Sequence, residues 1–179
     1  LRESGFLVKE GKIMKKFIVN LVLLLLALIL QILLPPAKQV FAGVKPDFLL
    51  ITAVIIGLYW GVYEGMTYAF LAGLFQGVFL GSSSLIYIVV KTLSGGIAGY
   101  LERLYFKERY FFPPVIIFLL TFLHDSLVIL LSETMLFSLN YFQALKLIIL
   151  PTAILNALIS LLLYYLYHRY WQVRGDIYE

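Results

Sequence analysis

Few residues of this chain could do chemistry, and they lie within long apolar runs: Glu64, Gln76, Lys91, and the pair His124-Asp125 followed by Ser126. His, Asp and Ser are the residue types of a hydrolytic triad. Consecutive helical positions point about 100° apart, however, so three in a row cannot line up for proton transfer. No phosphate-binding loop, HExxH or GxSxG motif is present. The chain has no cysteine, which excludes disulfides, thiolate metal sites and a cysteine nucleophile. On this reading there is no catalytic residue, no cofactor and no metal ligand, and the chain is not an enzyme.

The elements that must position these residues follow from composition. Of 179 residues, 62% are hydrophobic and 13% charged, against about half and a quarter in an ordinary soluble domain. A soluble core of this size could not hide so much apolar surface. The apolar residues come in blocks of the length that spans a bilayer, about 18 or more. The sequence therefore predicts an all-α integral membrane protein, a compact bundle of six transmembrane helices in one domain. The net charge of +4 reflects Lys and Arg at block ends, which mark topology and anionic-lipid contacts and not nucleic acid.

Residues 1–13 precede Met14-Lys15-Lys16 and read as a leader or expression remnant outside the fold; 14–168 form the six-span domain and 169–179 a cytoplasmic tail. The first span is Phe17 to Leu34, stopped by Pro35-Pro36. Phe48 to Leu80 would measure about 50 Å as one helix, too long for one crossing, so a break is expected within Gly61-Val62-Tyr63-Glu64-Gly65. The fourth span runs from Leu85 to Glu102, the fifth from Pro113-Pro114 to Ser132, and the sixth from Lys146 to Tyr167, loosened at Pro151. With a cytoplasmic N-terminus the inner segments hold ten Lys and Arg and the outer ones three, Lys38, Lys45 and Lys146. Both termini then face the cytoplasm. Aromatic clusters around Tyr59-Trp60 and Tyr164 to Trp171 fall at the same interface.

Depth along these spans puts Gln76, Lys91, His124 and Asp125 in one outer-leaflet layer. Ionisable groups at such depth face a bundle interior and a partner, so a Lys91–Asp125 ion pair is expected, with Gln76 or His124 near it. It either fixes helix register or lines an outward pocket or partner patch. Glu64, at the inner turn, reads as solvated.

Small residues recur every four positions at Gly57, Gly61, Gly65, Ala69, Gly73, Gly77 and Gly81, with Gly95, Gly96 and Gly99 beyond. Residues four apart share a helix face, and small ones allow close backbone approach in lipid. Spans two to four are expected to form the tight centre, or to leave one such face for a partner's transmembrane helix. Between Ser132 and Lys146, the helical spacing of Met135, Leu136, Leu139 and Phe142 suggests an amphipathic helix at the outer interface. Lipid or an extracytoplasmic partner would cover it.

The order of features resembles the bacterial rod shape-determining family MreD over residues 14 to 168. The resemblance rests on Met14-Lys15-Lys16, on Lys45-Pro46-Asp47-Phe48-Leu49-Leu50, on Glu64-Gly65 leading to Phe70-Leu71-Ala72-Gly73-Leu74, and on the glycines at 77, 81, 95, 96 and 99. Gln76 stands where that family often has an aspartate. The resemblance implies a non-enzymatic scaffold of the cell-elongation machinery in the bacterial inner membrane. Its partners would be MreC, a single-span membrane protein, then a class B penicillin-binding protein, RodA and MreB, with peptidoglycan synthesis as the supported process and self-association compatible with it. It also implies a fold similar to the substrate-binding subunits of energy-coupling-factor vitamin transporters, and such a subunit is the rival function. A vitamin subunit would need a pocket open to the outside.

Overall fold

A computed structural model describes residues 2–34, 44–80, 84–102, 112–131 and 140–173. These form helices almost throughout: α1 (Arg2–Leu33), α2 (Phe48–Trp60), α3 (Val62–Leu80), α4 (Ser84–Leu101), α5 (Phe112–Leu131), α6 (Tyr141–Ala144) and α7 (Leu150–Val173). A π-helical turn, Leu145–Ile149, joins α6 to α7. Three stretches are long and apolar enough to cross a membrane, Ile13–Leu33, Phe112–Leu131 and Tyr141–Gln172; Phe48–Trp60 and Leu85–Leu101 are shorter apolar helices.

α2 is the centre. From Leu49 to Tyr59 every side chain but Thr52 is buried, as expected of a helix with no polar face. It separates two apolar clusters. Leu50, Ile51, Val54 and Leu58 pack toward Ile117 of α5 and Tyr164 and Trp171 of α7, while Leu49, Ala53 and Ile56 pack toward Leu24 of α1 and Ala69 of α3.

The expected break inside 48–80 falls at Gly61, whose φ of +91° lies where a Cβ is strained. Its N–H closes α2 onto the Gly57 carbonyl at 2.9 Å. At thirteen residues, α2 is only about 20 Å long.

Two boundaries differ from the sequence reading. α1 continues back to Arg2, so the residues before Met14 share one helix with the first apolar run. The last helix begins at Tyr141, ahead of Lys146. The part of the expected interfacial helix that is described, with exposed Phe142, is therefore continuous with the final rod; Met135, Leu136 and Leu139 lie outside the described residues. Gln143 steadies this start by accepting from the Asn140 N–H at 3.4 Å, and Lys146 stacks over the Phe142 ring at 4.4 Å. The π turn precedes Pro151 and sends the Leu150 N–H to the Leu145 carbonyl. Proline lacks an N–H and its ring crowds the carbonyl four residues back, so a wider turn there is a physical answer to Pro151.

Candidate functional site

The most heavily bonded polar site begins at the start of α2. Asp47 caps that helix, its Oδ1 accepting the Leu50 N–H at 2.8 Å. Its other oxygen, Oδ2, accepts from Lys91 of α4. The Asp47 N–H donates to Asn156 Oδ1 of α7 at 3.0 Å, and Asn156 Nδ2 donates to Thr121 Oγ1 of α5 at 3.2 Å. The Phe48 N–H donates to Gln31 Oε1 of α1 at 2.8 Å. Lys91, Thr121 and Asn156 are wholly buried. One buried seam thus ties four helices to the N-terminus of a fifth, where the helix dipole favours the carboxylate.

This corrects the expected Lys91–Asp125 pair. Asp125 Oδ1 lies 2.9 Å from Nδ1 of its neighbour His124, and Lys91 is committed to Asp47. The reason lies in the length of α2. From the sequence Asp47 reads as part of a polar surface connection, yet Val44, Pro46 and Asp47 are buried.

His124 is buried, with the Tyr87 ring 6.0 Å away and its Nε2 without a partner among the described residues. Gln76 is buried too, but among the described residues no hydrogen bond joins it to Lys91, His124 or Asp125, and its Oε1 has no partner there. Ser126 accepts from the Tyr141 hydroxyl at 3.2 Å, away from any triad geometry. Among the described residues no group of three or more His, Asp or Glu could hold a metal.

A second seam lies where α2 meets α3. Glu64, expected to be solvated, accepts from Lys16 of α1 at 2.5 Å, and the same ammonium sits 4.7 Å over the Trp60 ring. Trp60 donates to the Tyr167 hydroxyl at 2.6 Å, which donates to the buried Asn20 at 2.8 Å. Tyr59 shares a hydrogen bond with His168 Nδ1. Tyr59, Tyr164, Tyr167 and Trp171, which the sequence places at the membrane interface, are all buried, because the α7 rings pack on Tyr59 and Trp60 of α2. Sequence reasoning also missed Asn20, Gln31, Thr121, Asn156 and His168. Their only signal was a polar side chain in an apolar run.

Glycines seal the contact of α2 and α3 with α4. A Cβ at Gly57 would stand 2.9 Å from the Gly95 carbonyl oxygen. One at Gly65 or at Gly95 would strike the other's backbone, and one at Gly99 would strike Gly61. One at Gly73 would lie 2.5 Å from Ile88 Cα. These glycines meet within the chain. Gly77 is buried, and Gly81 lies outside the described residues.

Set beside known families, residues 12–174 match the model of the rod shape-determining protein MreD. The chain belongs to the MreD family. No curated protein and no solved structure gives a match. The family is a shape-determining one. The match covers all the residues of both seams.

Proposed function

We propose that this MreD-family chain is a non-enzymatic scaffold of the bacterial cell-elongation machinery, crossing the inner membrane six times with both termini in the cytoplasm. Its role is to bind MreC and, through it, to support a peptidoglycan synthase complex of a class B penicillin-binding protein and RodA coordinated with MreB. The observation that carries this reading is the family match over residues 12–174. The interior is consistent with it. Asp47, Lys91, Asn156 and Thr121 bond each other across four elements, which serves rigidity, whereas a vitamin pocket requires polar groups turned toward a cavity. A rigid body that holds a partner's single helix has no need of such a cavity.

The test is replacement of the resident MreD in a rod-shaped bacterium by this chain carrying an affinity tag. Rod shape retained, with MreC copurifying from detergent, is the expected result. Rounded cells with no MreC recovered would sink the proposal, and a copurifying small ligand together with ATPase subunits would favour uptake.

A further inference from the structure

An apolar concavity lies on the flank of the bundle, where Phe48 and Tyr167 of the two seams reach its wall. It is a groove of about 520 Å³ between α1 and α7, floored by α2. Ile55 and Ile56 of α2 and Ala27 of α1 are buried in its floor, and Thr52 is half-buried there. The rim residues Ile18, Val22, Leu26, Leu30 and Leu166 are each about half exposed. The groove thus opens sideways, along two helices that are long and apolar enough to cross a membrane.

Size decides what fits. From Ile18 to Leu30 the groove runs about 18 Å, close to one leaflet of a hydrocarbon core about 30 Å thick. A single acyl chain is the slender apolar object of leaflet length.

Charge marks one end. Lys15 precedes Ile18, Val19 and Val22 by three, four and seven positions and therefore shares their helix face. Its ammonium is 5.7 Å from the Trp171 ring centroid, and Trp171 packs edge-on against Tyr170, a lining residue, at 5.3 Å. An apolar slot of leaflet length with a cation and aromatic rings at one mouth matches an acyl chain attached to a phosphate headgroup.

We infer that this groove is a binding site for an anionic phospholipid, one acyl chain lying between α1 and α7 and its headgroup phosphate meeting Lys15. The full chain, taken from vesicles of phosphatidylglycerol or of phosphatidylcholine into detergent, is weighed by native mass spectrometry. One phosphatidylglycerol retained per chain, several-fold over phosphatidylcholine, is expected. Thr52→Phe fills the floor and Val22→Phe the rim. Each is expected to reduce retention at least about fivefold, while Ile29→Phe, on an exposed part of α1 outside the groove, leaves it intact. Lys15→Gln removes the preference for phosphatidylglycerol. Absence of retained lipid, or equal retention in all three phenylalanine variants, overturns the site; equal retention of both lipids by the unaltered chain overturns the headgroup assignment. A photo-crosslinker at Val22 in cell membranes adds a second arm: capture of phospholipid supports the site, and capture of a polypeptide assigns the groove to a partner helix and overturns it.

Discussion

Removing one member of a buried ion pair leaves the other charged and unpaired, at a cost of about 3–5 kcal/mol, whereas replacing both is often neutral. Lys91→Met is therefore expected to lower the melting temperature in detergent sharply. Adding Asp47→Asn removes the stranded charge while keeping an oxygen for the Leu50 N–H, so the double variant recovers stability; additive losses would show that the two do not interact. Lys91→Met combined with Asp125→Asn is expected to be additive, because Asp125 bonds His124. Glu64→Gln gives the contrast. Its pair with Lys16 is about a quarter exposed, so by the same melting measurement its loss should cost no more than about 1 kcal/mol. The sequence marked Lys91 as a residue needing a partner but hid which one, since Asp47 reads as a loop residue until α2 is known to begin inside the bundle.

Long apolar blocks made most of the helices legible, and the length of 48–80 required the break that Gly61 supplies. The spacing of small residues named the packed faces. It could not say that Gly57, Gly65, Gly95 and Gly99 face one another, because contact between α2, α3 and α4 depends on the angle at Gly61. The pairing now separates two neighbouring glycines. Gly95→Ala drives a methyl into the Gly65 backbone and the Ala69 side chain, and overpacking of this kind costs about 1–3 kcal/mol. At Gly96 the same methyl meets only the flexible Met66 side chain, 3.1 Å from its Cγ, so Gly96→Ala should be nearly neutral. Thermal melting of the two variants side by side checks this, and equal losses would contradict the packing described. The extent of the last helix was not legible, because the polar residues between Ser132 and Lys146 read as a surface segment, although the helix from Tyr141 runs on through a widened turn.

For the whole molecule, the number of crossings, six or four, turns on α2 and α3. Together they leave and return through the layer in which Asp47 is buried, and α2, at about 20 Å, is shorter than a hydrocarbon core of about 30 Å. If the two formed a hairpin that turned back within the bilayer, Tyr63 would lie among lipid and be reached from neither side. If they form two crossings, Tyr63, which is 86% exposed, emerges on the cytoplasmic face, and Phe142 at the start of the last helix emerges on the opposite one. The chain has no cysteine, so Tyr63→Cys and Phe142→Cys each carry a single thiol. A membrane-impermeant maleimide is expected to label Phe142→Cys in intact cells and Tyr63→Cys only after permeabilisation. Labelling of both in intact cells would break the six-crossing arrangement, and a thiol at position 63 silent under both conditions would establish the hairpin. The hairpin would leave four crossings, again an even number, so Lys15 and Arg169 stay on one side whichever way α2 and α3 run.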